Sequence, residues 1–131
     1  MAVSSETVAN WVAKYVKAWE SYNPAEIGDL FSEDATYQYH PFGDPIRGRQ
    51  AIVASWLETD RRDPTGTYEA RYHPIAIEGD LAVVNGRTRY FSDQTQREVV
   101  REFENIFVIR FDSDMRCRSF QEWYNRRPDG Q

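Results

Sequence analysis

The chain has 131 residues, enough for one hydrophobic core but not for two. Hydrophobic residues make up 40% and charged residues 28%, which excludes wholesale disorder. The net charge is −5, from 21 acidic and 16 basic residues, and neither half of the chain is basic, which argues against nucleic acid as a partner. No apolar run approaches the ~20 residues of a membrane-spanning helix, so no membrane partner is expected.

The N-terminus and the cysteine content predict a cytoplasmic protein. The first residues contain no basic segment followed by an apolar one, so we expect no signal peptide. The single cysteine, Cys117, cannot form an internal disulfide, which fits a reducing compartment.

The first half of the chain predicts three helices. An apolar stripe with spacings of three and four residues indicates a helix over 8–22, with Ser5 as its N-cap. Asn23-Pro24 is a typical start for a second, short helix. A brief strand over 36–39 and a proline-containing turn then lead to a third helix from about Gln50 to Leu57.

After residue 66 the apolar period changes from helical to extended. Strands are predicted over 68–77, 81–91, 97–111 and 116–124, and the short connectors between them indicate antiparallel pairing. Helices followed by a meander of strands predict an α+β fold. We expect a curved, mostly antiparallel sheet wrapped around three N-terminal helices, forming a cone with an internal pocket.

Aromatic residues and arginines are unusually frequent. The chain has four tryptophans, eight tyrosines and seven phenylalanines, and only two of its basic residues are lysines. Two explanations stay open at this point. The rings could form the core while arginine provides solubility, or the rings could line a cavity in which arginine makes forked hydrogen bonds.

The segment Leu30–Ile52, LFSEDATYQYHPFGDPIRGRQAI, resembles the corresponding stretch of the ketosteroid isomerases. The resemblance includes AKYV at 13–16 and FVIRFD at 107–112 and covers nearly the whole chain. Those enzymes belong to the nuclear-transport-factor-2-like superfamily, and residues 105–124 are still more similar to its uncharacterised SnoaL-like members. The resemblance implies one SnoaL-like domain over 1–131 with the cystatin-like α+β cone. It says less about function, because this superfamily includes isomerases, cyclases, dehydratases, epoxide hydrolases and binding or scaffold domains.

One catalytic residue of the isomerases has a match in this chain, and two others are replaced by different residue types. Tyr15 matches the tyrosine that holds the enolate oxygen. His40 stands where those enzymes have their aspartate base, and a histidine can move a proton near neutral pH. Phe107 stands where they have a protonated aspartate and cannot donate a hydrogen bond. This departure argues against ketosteroid isomerase activity.

The same resemblance implies which side of each strand faces the pocket. The residues implied to line the pocket are Trp19, Phe31, Trp56, Asn85, Arg87, Arg89, Phe103, Asn105, Phe107, Phe120, Glu122 and Tyr124. Cys117 and Trp123 alternate with this set and should face outward. Superfamily members often dimerise through that outer face, so a homodimer is expected. A one-residue slip would reverse the facing of a whole strand.

If Glu122 faces the pocket, we expect it to pair with a basic side chain, because a buried carboxylate is rare unless it is paired. Arg87 or Arg89, across the sheet from Glu122, is the expected one. Such a pair could brace the cavity, or the arginine could bind an acidic ligand instead. Pairing with Arg87 would also hold the pKa of Glu122 down, which ranks Glu122 behind His40 as a candidate base.

Three classes of function fit these observations. The leading hypothesis is a small-molecule-binding protein with acid–base chemistry, of isomerase, cyclase, dehydratase or hydrolase type, that needs no cofactor or metal. His40 would move the proton, and Tyr15 and Asn105 would hold the developing oxyanion. Arg87 and Glu122 would orient a small, partly apolar ligand. The alternatives are a non-catalytic ligand-binding module and a dimeric scaffold whose pocket is filled by its own side chains.

Overall fold

A computed structural model of the chain describes residues 2–58 and 63–129. The elements in chain order are α1 (Ser5–Ser21), α2 (Pro24–Asp29), β1 (Phe31–Gln38), β2 (Ile46–Arg47), α3 (Arg49–Trp56), β3 (Tyr68–Glu78), β4 (Leu81–Phe91), β5 (Val99–Phe111) and β6 (Cys117–Arg126). Within the described ranges, no helix is long and apolar enough to cross a membrane.

The strands form one six-stranded sheet in the order β2-β1-β6-β5-β4-β3. The last four strands make an antiparallel meander, β1 lies parallel to β6, and β2 pairs antiparallel with β1. The three helices and this mixed, mostly antiparallel sheet confirm the predicted α+β fold class.

The helix starts follow local capping chemistry. The side chain of Ser4, one residue before the predicted cap, accepts a hydrogen bond from the Thr7 amide and begins α1. The side-chain oxygen of Asn23 accepts from the amides of Ala25 and Glu26 at 2.9 and 3.2 Å, as predicted for α2. These caps satisfy amides that have no partner inside the helix.

The first strand begins earlier than predicted. It starts at Phe31 rather than near residue 36, because the chain just after α2 pairs with β6. The Cys117 amide donates to the Leu30 carbonyl at 2.8 Å. Residues 31–35 have no strand pattern in their own sequence, and they become extended because they pair with β6 from the far end of the chain.

Trp11 anchors α1 in the core. Its indole N–H donates to the Leu30 carbonyl at 3.0 Å, and its ring centroid lies 5.5 Å from that of Tyr15. Phe31 and Phe111 meet it edge-on at 6.2 and 5.9 Å. These contacts tie α1 to both β1 and β5, so the following turns of α1 lie over the sheet.

An irregularity in the pairing of β5 with β6 changes which residues of β6 face the helices. Arg110 pairs with Ser119 and Phe111 with Cys117, so Arg118 is left without an opposite residue. This bulge reverses the facing of the chain before it. Cys117 is therefore fully buried in the core, and the prediction that it faces outward is wrong.

Gly86 on β4 permits a close approach by β3. A Cβ atom at Gly86 would lie 2.6 Å from the carbonyl oxygen of Arg71 and would overlap the ring of Tyr72. The absence of a side chain lets that ring lie against the backbone of β4, with its centroid 4.8 Å from that of Phe107.

We expect Gly86→Ala to lower the free energy of unfolding by about 1–3 kcal/mol, because the backbone of Arg71 and the ring of Tyr72 must both move. Urea unfolding measures this change. Gly28→Ala in α2 is the matched control, since a Cβ there meets its nearest neighbours at 3.7 Å, an ordinary contact. Equal stability of the two variants would contradict the proposed close approach.

Candidate functional site

A cavity of about 350 Å³ lies between α1, α3 and the face of the sheet that packs on the helices. This volume is within the ~300–1,000 Å³ usual for small-molecule sites. Its ring-bearing lining residues are Tyr15, Trp19, Tyr22, Tyr37, Tyr39, Trp56, Tyr72, Tyr90, Phe103 and Tyr124. Its remaining lining residues are Ser55, Asp63, Thr88, Asn105 and Glu122.

The structure brings together most of the predicted site residues. Those that line the cavity are Tyr15, Trp19, Trp56, Phe103, Asn105, Glu122 and Tyr124. Phe31, Phe107 and Phe120 are no more than 1% exposed and form the core beneath it. The ring of Tyr15 joins the two layers, with centroids 5.4 Å from Phe107 and 5.7 Å from Phe120.

The predicted facing of β4 is wrong by one residue. Gly86 pairs with Asn105 and Thr88 with Phe103, and residues paired directly across a sheet share a face. Thr88 and Tyr90 therefore face the cavity. Asn85, Arg87 and Arg89 lie together on the opposite, outer face of the sheet.

The predicted ion pair between Glu122 and an arginine of β4 does not form. Arg87 donates to Glu104 at 2.8 Å, and Arg89 donates to Glu102 at 2.7 Å, both on the outer face. The pleat of the sheet places these arginines on the side away from Glu122.

His40 lies outside the cavity. It is exposed in the segment 39–45 that follows β1 and is not a lining residue. The Gln38 side chain donates to the Gly43 carbonyl at 2.9 Å and holds this segment in a turn. The structure therefore does not bring His40 to Tyr15.

Glu122 is the carboxyl group at the centre of the cavity wall. The side-chain amide of Asn105 donates to Glu122 Oε2 at 2.8 Å, across β5 and β6. Burial in the ring-lined cavity raises the pKa of Glu122 to about 7, although the Asn105 hydrogen bond acts in the opposite direction. This carboxyl group can therefore hold or release a proton near neutral pH.

A chain of hydrogen bonds supports that carboxyl group. Thr88 Oγ1 donates to the side-chain oxygen Oδ1 of Asn105 at 3.0 Å, and the Tyr72 hydroxyl is bonded to the same Thr88 oxygen. Because the hydroxyl proton of Thr88 is used towards Asn105, Tyr72 must donate. The donors run in one direction, from Tyr72 through Thr88 and Asn105 to Glu122, which fixes the orientation of the Asn105 amide.

Two tyrosine hydroxyls form a pair in the same cavity. The oxygens of Tyr15 and Tyr37 are 3.3 Å apart. Burial raises the pKa of both well above the ordinary range, so both stay protonated. Only one proton can serve the bond between them, and the other can be donated to a molecule in the cavity.

A second acidic group lies elsewhere in the lining. Asp63 is 3.8 Å from Arg101, and the guanidinium of Arg101 sits 4.3 Å over the ring centre of Tyr90. Burial raises the pKa of Asp63, and the charge of Arg101 opposes this shift.

Sequence reasoning missed Tyr37, Tyr72, Thr88, Tyr90 and Asp63 as lining residues. For Thr88 and Tyr90 the missing signal was the register of β4 against β5, which depends on pairs such as Gly86 with Asn105. Within residues 2–58 and 63–129, no three histidine, cysteine or acidic side chains converge closely enough to hold a metal ion.

The family model of the SnoaL-like domain matches residues 12–119, so the chain belongs to the SnoaL-like domain family. Its fold is similar to that of an NTF-2 like protein of unknown function from Burkholderia xenovorans LB400, with a TM-score of 0.69, 15% identity, and coverage of 96% of this chain and 88% of that one. A putative ketosteroid isomerase from Kribbella flavida DSM 17836 matches with a TM-score of 0.67 and 13% identity, over 97% and 84% of the two chains. The predicted superfamily is confirmed, and at these identities the structural likeness establishes the fold alone.

One curated relative is Extracellular metalloproteinase 1 of Phaeosphaeria nodorum, 27% identical over 114 residues. The match covers 82% of this chain but 18% of the metalloproteinase. It concerns one segment of a much longer protein and assigns no activity to this chain. That residues 1–131 form a single domain stays a prediction.

The raised pKa of Glu122 predicts a pH-dependent stability. An unfolded chain ionises this group near 4.5, whereas the folded chain retains the proton up to about 7, so the free energy of unfolding falls as the pH rises between these values. The tyrosines that face Glu122, which are Tyr15, Tyr37, Tyr72 and Tyr90, stay protonated throughout. We expect Glu122→Gln to stabilise the protein by about 1–3 kcal/mol at pH ~8 and much less at pH ~5.

Thermal unfolding across this pH range measures the effect. Glu78→Gln, at the exposed end of β3, is the matched control and should follow the wild type. Parallel pH profiles for the wild type and Glu122→Gln would show that Glu122 ionises in the folded protein as in the unfolded one.

Proposed function

We propose that this protein binds a small, flat, partly apolar molecule and performs cofactor-independent acid–base chemistry on it, with Glu122 as the group that takes and returns the proton. The observation that carries this proposal is a carboxyl group in the wall of a ring-lined cavity, held by an amide and paired with no cation of residues 2–58 and 63–129. General acid–base catalysis is most efficient when the pKa of the catalyst lies near the working pH. The pKa of Glu122, about 7, meets that condition.

The neighbouring polar groups have complementary roles. Asn105 fixes the carboxyl group and keeps one of its oxygens occupied, so the other can approach a substrate C–H or O–H group. The Tyr15 and Tyr37 hydroxyls can donate to an oxygen on which negative charge develops. Their raised pKa values keep them as donors at neutral pH.

We place the base at Glu122 rather than at His40, the first candidate from the sequence. His40 is exposed and outside the cavity lining, whereas Glu122 is half-buried in it. Glu122 ranked behind His40 from the sequence because pairing with Arg87 was expected to lower its pKa. Arg87 pairs with Glu104 instead.

A non-catalytic binding module is the second candidate function, since the same cavity would serve it. The open space lined by rings and by Glu122 supports either ligand-binding function over a scaffold whose pocket is filled by its own side chains. The cytoplasmic location stays a prediction.

A model proton-abstraction reaction separates catalysis from binding. The probe is nitrobenzisoxazole, a flat neutral molecule. Removal of its ring C–H proton by a base forms a nitrile and breaks the N–O bond, so the electron pair leaves on a coloured phenolate oxygen. We expect the protein to accelerate this reaction with an apparent pKa near 7. Glu122→Gln should lower the rate by ~10²–10⁴, and Tyr15→Phe by a smaller factor of ~10–10³.

The controls locate the base. His40→Ala and Glu78→Gln should retain the wild-type rate, because both residues are exposed outside the cavity. Loss of rate in His40→Ala with full activity in Glu122→Gln would return the assignment to His40. Saturable binding of the probe without acceleration would favour the binding module.

We also propose that the protein is a homodimer that pairs through the outer face of its sheet. Trp123 is 39% exposed there, and Ile106 lies directly opposite it on β5. On this face, Arg87 and Arg89 of β4 pair with Glu104 and Glu102 of β5, so it carries charges of both signs and two copies can be complementary in charge. A two-fold dimer is the commonest closed assembly.

Light scattering should give about 30 kDa, twice the 15.4 kDa chain mass. Trp123→Arg should shift the protein towards the monomer, because it puts a charge at the centre of the proposed contact. Ile75→Arg, at an exposed apolar position on β3, tests whether any added charge has this effect. A wild-type monomer at high concentration would refute the dimer.

A further inference from the structure

The charged groups in the cavity wall are acidic. Glu122 and Asp63 line it, and no arginine, lysine or histidine of residues 2–58 and 63–129 does. Asp63 has a counter-charge, because Arg101 lies 3.8 Å away. Glu122 has the neutral Asn105 amide as its hydrogen-bond partner, and no cation of the described chain forms an ion pair with it. An ionised carboxylate away from water is costly unless an opposite charge is near. When Glu122 is ionised, the described residues therefore provide no positive charge to balance it.

The rings around Glu122 would favour the same charge. Tyr15, Tyr37, Tyr72 and Tyr90 are all close enough for the charge of Glu122 to raise their pKa values. Aromatic rings carry negative charge on their faces and attract cations placed over them. A positive group beside Glu122 would meet the carboxylate and the tyrosine hydroxyl oxygens inside a cavity lined by these rings.

The protein already binds one cation in this way. Arg101 lies over the ring of Tyr90, 4.3 Å from its centre, and at the same time pairs with Asp63. A carboxylate and a tyrosine face thus hold a positive group at Tyr90. Glu122 and its tyrosines offer the same two components deeper in the cavity, without the cation.

We propose that the ligand of this cavity is a cation, an amine or quaternary ammonium compound with a flat apolar body, whose charged group lies against Glu122. The apolar body packs on the tryptophan and tyrosine walls, and the net charge of −5 on the chain attracts such a molecule from a distance. An anionic ligand would meet two carboxylates and no described cationic lining residue. This inference rests on the ligand-binding part of the proposed function.

Calorimetric titration with three benzyl-type probes tests the charge preference at pH ~8, where Glu122 is ionised. The probes are benzyltrimethylammonium, benzyl alcohol and benzoate, which share one ring and differ in charge. We expect the dissociation constant of benzyltrimethylammonium to be at least about tenfold lower than that of benzyl alcohol, from the cation–π and ion-pair contacts together. Benzoate should bind most weakly.

The variant Glu122→Gln isolates the carboxylate. It should raise the dissociation constant of benzyltrimethylammonium by about tenfold and leave that of benzyl alcohol within about twofold. Glu78→Gln makes the same change in net charge at an exposed position outside the cavity and should alter neither constant. Thermal unfolding of each variant confirms that it is folded.

The outcomes separate this inference from the function on which it rests. Benzyl alcohol or benzoate binding as tightly as the cation would overturn the inference and leave the proposed function intact. A preference for the cation that survives in Glu122→Gln would overturn the assignment to Glu122. Failure of all three probes to bind would overturn both the inference and ligand binding by the cavity.

Discussion

The hydrogen bond from Asn105 to Glu122 joins β5 and β6 at the point on which the proposed chemistry of the cavity depends. It fixes the orientation of a half-buried carboxyl group, and it leaves one carboxyl oxygen free. The bond forms because Thr88 holds the other end of the Asn105 amide, with Tyr72 behind it. Four strands, β3 to β6, each supply one member of this chain, so its geometry requires the whole meander in register. A single-residue slip in any of them would remove a member.

The packing around these four hydrogen-bonded residues is dense on one side and open on the other. Beneath the cavity, Phe107 and Phe120 are almost fully buried and support the ring of Tyr15. Gly86 lets Tyr72 lie against β4 so that its hydroxyl reaches Thr88. Core packing at native density leaves little freedom to these rings. The hydrogen-bonded residues Tyr72, Thr88, Asn105 and Glu122 are therefore positioned by strands of the sheet, and His40 is not among them.

The acidic side chains on the two faces of the sheet have different partners. On the outer face, arginines of β4 pair with glutamates of β5, and Glu102 is 8% exposed between Arg89 and Arg127. On the inner face, Glu122 has an amide partner and rings around it. Both sets come from the same strands, because neighbouring residues on a strand point to opposite sides. Arginines that pair on the outer face do not neutralise the carboxyl group on the inner face, where burial raises the pKa of Glu122.

The sequence by itself determined the α+β class, the three helices, the Asn23 cap of α2 and the four long strands, because these follow from local periodicity and capping chemistry. It also indicated, through the resemblance, that Asn105 and Glu122 share the inner face. Only the tertiary structure decided the facing of β4, whose small residues such as Gly86 and mixed polar residues such as Arg87 and Thr88 carry no clear alternation. The partner of Glu122, the exposure of His40 and the bulge that buries Cys117 likewise depend on pairing between distant segments. Local sequence encodes the period of a strand, but which side meets the core is set by the register of its neighbours.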